Sequence, residues 1–325
     1  MRSWAVNAAV RFVRLASGMT RVITCILNGT AGTSAAAEMR QQLAGLFEER
    51  GTPVTILVAE HGDQIPQLTS RAIQEGATIV VAVGGDGTVN CVANIVLKND
   101  GVLGVLPGGT LNHFAKDLGI PCDLAAAVDA LLAGQTARVD VGEVNGKIFL
   151  NNSSLGLYPA VVRQREEFQK KGHAKWSAFA AAATFAMLRY RHLYVRLEGD
   201  GMSEVEETTP FVFIGNNEYQ LSGMRLGKRD RLDTGELWIY RAPRASRLSL
   251  MAMAVRALCG VQDRRELAVV RAKALRIRTR RHRIHVARDG EVDTMEGPLH
   301  YRIRPKALSV IVPKPLPQNP NREIV

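Results

Sequence analysis

The first half of the chain alternates short, almost continuously apolar runs with longer stretches whose apolar positions recur every three to four residues. Arg21–Leu27 (RVITCIL) reads as a buried strand that runs into the loop Asn28-Gly-Thr-Ala-Gly. Ser34–Arg50 has helical periodicity and is closed by Gly51; Val54–Ala59 is the next strand. Gln67–Gln74 is helical, Thr78–Val83 a third strand, Val89–Leu97 a helix and Val102–Leu106 a fourth strand. Such βαβα alternation, with apolar rather than alternating strands, predicts a parallel sheet covered on both faces.

Near residue 140 the pattern changes. Arg138–Val144, Ile148–Asn152, Leu193–Glu198, Pro210–Ile214, Leu237–Tyr240, Ala274–Thr279 and Leu308–Val312 read as short strands. Two helical stretches, Ala174–Arg189 and Ser246–Leu258, interrupt them. Many short strands with few helices predict an antiparallel sandwich. The expected organisation is an extension over residues 1–20, an α/β domain over 21–140, a β-sandwich over 141–312 and a Pro-rich, disordered tail over 313–325.

Charge changes this picture. The chain carries +11, yet Arg225–Arg288 alone holds 18 Lys/Arg against five Asp/Glu, so the remainder is close to neutral. A basic C-terminal half suits an anionic partner, nucleic acid or lipid headgroups. No nucleic-acid module is recognisable, which favours lipid. Lys170–Arg191 has an apolar middle with basic ends and carries Trp176, Phe179, Phe185 and Tyr190. It reads as a membrane-docking helix or as a helix covering the sandwich. Arg276, Arg278 and Arg280 alternate with Leu275, Ile277 and Thr279, which makes one strand face basic. The first 20 residues are basic and make a poor secretory signal; they suit an amphipathic helix or a frayed extension. The longest later apolar run, Ala178–Leu188, has 11 residues, against the roughly 20 needed to span a bilayer. Cys25, Cys91, Cys122 and Cys259 are widely spaced and read as buried, reduced thiols.

Three segments carry candidate chemistry. In Val80–Asn90 (VVAVGGDGTVN) a strand runs into glycines and then a helix. Glycines let backbone N–H groups approach a ligand, and a helix N-terminus favours phosphate. Asn90 replaces the last glycine of a dinucleotide fingerprint, and no Walker A motif occurs. Asp86, set between glycines, would repel phosphate unless a cation intervened, which points to Mg²⁺. Gly104–Pro121 (GVLPGGTLNHFAKDLGIP) repeats the strand–glycine–helix arrangement, with Thr110 and Asn112 as natural cap residues. Two such turns at strand ends can face one crevice. Ile284–Thr294 (IHVARDGEVDT) reads as a hairpin about Asp289-Gly290. Asp289 and Glu291 share a face if the backbone there is extended, and either could take a proton from a hydroxyl.

In this order and spacing, GGDGTVNCV (84–92), PGGTLNHFAKDLGIP (107–121) and DGE (289–291) resemble the diacylglycerol kinase catalytic-domain family, in particular its bacterial lipid kinases related to sphingosine kinases. That family's pattern is GGDGTxNEV, a GTxNDFAR-like turn with GIP, and a late DGE. The resemblance implies a phosphofructokinase-like ATP-binding domain followed by a β-sandwich. It implies that Asn28, Gly84, Gly85, Asp86, Gly87, Thr88, Val89, Asn90, Gly109, Thr110 and Asn112 hold ATP, and that Asp86 organises Mg²⁺. Glu291 becomes the general base and Asp289 its support. The expected product is phosphatidic acid from diacylglycerol, made by a cytoplasmic enzyme held peripherally at the inner face of an anionic membrane. A homodimer stays open.

Three positions depart from the family pattern. His113 replaces an Asp, Cys91 replaces a Glu, and Asp233-Thr234-Gly235 replaces the Asp-Asp-Gly that closes a structural metal loop, leaving Asp230 and Asp233 as its carboxylates. A kinase of a soluble acceptor, as in NAD kinases, and a catalytically silent lipid- or nucleotide-binding regulator are the competing readings.

Overall fold

A computed structural model describes residues 13–14, 20–30, 32–157, 159, 192–220, 227–242 and 267–314. The two expected sandwich helices, the aromatic segment Lys170–Arg191, Cys259 and almost all of the first 20 residues and the tail lie outside them. The chain divides into two compact units, residues 1–137 with 308–325, and residues 138–307.

The first unit opens with a short antiparallel ribbon of β1 (Val13–Arg14) and β2 (Thr20–Arg21). The α/β alternation follows as β3 (Ile23–Asn28), α1 (Thr33–Glu49), β4 (Val54–Ala59), α2 (Ile65–Gln74), β5 (Ile79–Gly84), α3 (Asp86–Lys98), β6 (Val102–Pro107), α4 (His113–Asp117) and α5 (Leu124–Ala133). The strands are parallel in the order β6-β5-β3-β4. β3 and β5 are buried along almost their whole length, and α1 packs beside α5 while α2 packs beside α3. Strands apolar on every position thus sit between two helical layers. Burial pushes the Cys25 thiol in β3 up to about 12, which makes it inert. Cys122 is exposed rather than buried, because it lies in the turn before α5.

The second unit contains most of β7 (Gln135–Val144), then β8 (Lys147–Phe149), β9 (Asn152–Gly156), β10 (Leu193–Gly199), β11 (Met202–Thr209), β12 (Phe211–Asn216), β13 (Leu237–Arg241), β14 (Ala268–Ala272), β15 (Ala274–Thr279), β16 (Arg283–Arg288), β17 (Glu291–Glu296) and the first part of β18 (Leu299–Val312). One sheet runs β14-β13-β12-β9-β16-β17; the other brings β11, β10, β15 and β18 together. Leu155, Val212, Ile214, Ile239 and Val286 of the first meet Val195, Leu197, Ile277 and Leu299 of the second in one core. This is the antiparallel sandwich.

The linear boundaries need two corrections. Residues 308–312 belong with the first unit, because Ser309 and Val310 pair parallel with Val102 and Leu103 of β6. The strand expected over Ile148–Asn152 is broken into β8 and β9, since the backbone at 150–152 turns its N–H groups onto a side chain, described below.

Candidate active site

In the first unit, β5 and β6 are neighbours paired from Ile79↔Val102 to Gly84↔Pro107. Their glycine turns therefore leave the sheet side by side. Gly108 donates its N–H to the Gly84 carbonyl at 3.0 Å. A Cβ on Gly109 would lie 2.5 Å from the Gly85 Cα, and one on Gly108 3.0 Å from the Gly84 Cα. Backbone is stacked on backbone, which only glycine allows. The result is a floor free of side chains at the C-terminal edge of a parallel sheet, where such folds take ligands.

Asp86 ties the two turns together. As the first residue of α3 it complements that helix's dipole. Its Oδ2 accepts the N–H of His113, and its Oδ1 that of Phe114, each at 3.2 Å. It caps α4 from another element. Asn112 precedes α4 at φ 50° and does not cap it; its side chain accepts from the Gly109 N–H at 2.9 Å and donates to the Gly109 carbonyl at 2.8 Å. His113 meets Asp86 through its backbone, so this contact does not need the family's carboxylate at 113.

At the end of β3, Asn28 donates to Thr88 Oγ1 at 2.8 Å and accepts from the Thr30 N–H at 3.1 Å. Thr88 and Val89 are buried braces, whereas Gly87 and Asn90 are half-buried and Thr110 is exposed. The expected nucleotide residues of this unit thus gather at three adjacent strand ends.

In the second unit, Asp289 and Gly290 form the two-residue turn between β16 and β17, with φ 46° and 91°. Both positive values match the hairpin class that favours Asp-Gly. Asp289 and Glu291 therefore do not share a strand face: the backbone at Asp289 is left-handed, not extended. The Asp289 carboxylate faces inward instead. It accepts the N–H groups of Leu150, Asn151 and Asn152 at 2.7, 2.8 and 3.0 Å. Glu291 opens β17 opposite Arg288 and is exposed.

Sequence reading missed Arg229. It is 4% exposed and donates to the Leu150 carbonyl at 2.7 Å, the Asn216 carbonyl at 2.9 Å and Asn151 Oδ1 at 2.7 Å. Arg229 and Asp289 thus hold the same three-residue turn, one by its acceptors and the other by its N–H groups. Only depth distinguishes Arg229 from its basic neighbours, and composition does not show depth.

The expected structural metal loop is held without a carboxylate cage. Asp230 accepts from Gln220 at 2.6 Å and Asp233 from Arg231 at 3.1 Å. Asp140 accepts from the Gly235 and Lys306 N–H groups at 2.6 and 2.7 Å, and Asn217 accepts from Thr234. Among the described residues no three His, Cys, Asp or Glu side chains come together as metal ligands.

Residues 22–144 match the diacylglycerol kinase catalytic domain, and residues 155–312 match the YegS C-terminal NAD kinase β-sandwich-like domain. A Pseudomonas aeruginosa protein described as "Probable lipid kinase YegS-like" is 30% identical over 301 residues, 90% of this chain and 96% of its own. The chain belongs to the diacylglycerol kinase catalytic-domain family. Within that family, a Mycobacterium tuberculosis protein described as a diacylglycerol kinase is 26% identical over 90% of this chain and 95% of its own. The chain spans 44% of the length of a Staphylococcus carnosus diacylglycerol kinase that it matches at 30% identity. The fold is shared with a crystal structure described as that of a diacylglycerol kinase from Bacillus anthracis, at 20% identity and a TM-score of 0.65 over 90% of this chain and 97% of that one.

Proposed function

We propose that the protein transfers the γ-phosphate of Mg·ATP to a lipid hydroxyl, with diacylglycerol as acceptor and phosphatidic acid as product. The stacked glycine turns, Gly84-Gly85 on Gly108-Gly109, carry this reading. Phosphoryl transfer asks for positioning and charge neutralisation more than for covalent help, and a bare backbone floor at a helix N-terminus supplies both for a triphosphate.

Asp86 fits a role beside Mg²⁺. An ion of this kind binds through one or two carboxylates together with phosphate oxygens rather than in an all-protein cage, and each Asp86 oxygen keeps acceptor capacity beyond its one N–H bond. When bound, the ion neutralises phosphate charge. Asn28 and Thr88 brace the loop beside the phosphates. Glu291 takes the proton of the acceptor hydroxyl as its oxygen bonds to the γ-phosphorus and the bond to the ADP oxygen breaks. Asp289 positions Glu291 through the hairpin turn.

The membrane reading rests on the basic C-terminal half. Its β15 stripe is partly neutralised: Arg276 and Arg278 lie 3.8 and 3.5 Å from Glu198, and Arg280 covers the Tyr194 ring at 4.5 Å. Among the described residues no helix is long and apolar enough to cross a membrane. We place the protein at the inner face of an anionic membrane on the charge excess. Offering labelled Mg·ATP with micelles of diacylglycerol, phosphatidylglycerol, ceramide and sphingosine tests the acceptor: label in diacylglycerol supports the reading, and label in another lipid replaces it.

A further inference from the structure

Among the described residues only two large apolar side chains stand exposed, Leu111 at 51% and Val269 at 38%. Val269 lies on β14, an outer strand of the sandwich. Leu111 lies at the tip of the second glycine turn, between Thr110 and Asn112 and beside the floor where Gly109 stacks on Gly85. Single exposed apolar residues are ordinary on a protein surface, but this one stands where the acceptor must arrive. Given the lipid acceptor proposed above, on which this rests, the reacting hydroxyl sits at headgroup level and the phosphate turn has to reach that level. We propose that this turn is the edge by which the site meets an anionic lipid bilayer, with Leu111 entering the boundary between headgroups and acyl chains and Lys116 meeting the headgroups.

The turn is fixed in an outward shape. Asn112 adopts φ 50° and folds its side chain onto both the N–H and the carbonyl of Gly109, so Thr110 and Leu111 bulge between two tethered residues. α4 follows with Phe114 and Ala115 buried. Its other side shows His113 and Lys116, three residues apart and both exposed, while Asp117 is half-buried. Lys116 has no ion pair among the described residues, whereas Glu198 partly neutralises the arginines of β15. An apolar tip flanked by cations suits a segment that lies in the membrane interface. There a lysine lays its methylenes along apolar surface and keeps its ammonium among the headgroups. His113 stands where the family pattern has Asp; anionic headgroups would repel a carboxylate there. A protein partner fits less well. A stable protein interface buries about 800 Å² of each partner, far more than one leucine offers, whereas a bilayer needs no matching pocket.

Vesicles of phosphatidylserine and phosphatidylcholine, without diacylglycerol or ATP, test this on the full chain. In Leu111→Trp the added fluorescence is read as the difference from the wild type, which has Trp4, Trp176 and Trp238 of its own. It is expected to shift to shorter wavelength and to be quenched by brominated acyl chains; Val269→Trp is expected to show neither. Leu111→Ser should weaken vesicle binding at least about tenfold, while ATP binding measured by calorimetry without lipid stays that of the wild type. Lys116→Glu should weaken vesicle binding too, and less so at high salt. These are exposed side chains, and circular dichroism confirms that each variant folds. An unquenched Leu111→Trp, quenching as strong at Val269→Trp, or a Leu111→Ser protein that binds vesicles like the wild type overturns the proposal. A protein that docks through Leu111 yet labels no lipid would overturn the kinase reading and leave this contact standing.

Discussion

Asp86 Oδ1 accepts the backbone N–H of Phe114 at 3.2 Å, across 28 residues of chain. The residue expected beside Mg²⁺ is thus also the cap of a second helix. Asp86→Asn keeps the shape but offers one acceptor oxygen where two are used. The expected cost is about 1 kcal/mol, the scale of a lost helix cap, seen as a small fall in thermal midpoint. Loss of activity in this variant beyond about a hundredfold, with that small fall, separates the charge of Asp86 from its cap.

Gly109→Ala places a methyl 2.5 Å from the Gly85 Cα. Overpacking of this kind costs about 1–3 kcal/mol, and here it also pries the two turns apart. ATP binding by calorimetry is expected to weaken at least about tenfold. Gly45→Ala is the control: nothing lies within 4 Å of its added Cβ, and in mid-helix it is expected to stabilise by about 0.4–1 kcal/mol.

Asp289→Asn and Arg229→Met strip opposite sides of the same turn at 150–152. Each leaves buried backbone groups without partners, at about 1–3 kcal/mol per group, so both variants are expected to melt well below the wild type. The loop from Gly227 to Glu236 is held by Asp140, Asn217 and Arg229. A chelator should therefore abolish transfer without lowering the melting midpoint of the nucleotide-free protein; a large drop on chelation would restore a structural metal.

Partial burial alone would raise the Asp293 carboxyl, but its bonds to Lys147 at 2.8 Å and to Arg288 at 3.0 Å outweigh that and hold it below the usual carboxylate range. A lowered folded value means stability present above the unfolded value of about 3.9 and lost as pH falls through the folded one. Denaturation curves should show Asp293→Asn less stable than the wild type at pH 7. The gap should narrow below about pH 4 and vanish once both proteins are uncharged there. A gap independent of pH would remove the ion pairs from the account.

Where apolar period and glycine punctuation agreed, as in β3, β4, β5 and β6, sequence reading matched the structure within one or two residues. The polar edge strand β11, Met202–Thr209, escaped it because its outward positions are glutamates and no apolar run marks it. At Asp289 the hairpin was legible, but not the three N–H groups that turn its carboxylate inward. Asp140 and Arg229 act through contacts 78 or more residues away, and the buried Asn217 acts on Thr234, 17 residues on; neither distance nor depth leaves a local pattern.

The most direct measurement is incorporation of labelled γ-phosphate from Mg·ATP into diacylglycerol by the wild type and by Glu291→Gln. Glu291 is exposed, so the variant should keep the wild-type melting midpoint. The account predicts labelled phosphatidic acid from the wild type and a fall of at least about a hundredfold in the variant. A folded wild type that binds ATP but labels no lipid, or a Glu291→Gln protein as active as the wild type, would contradict it.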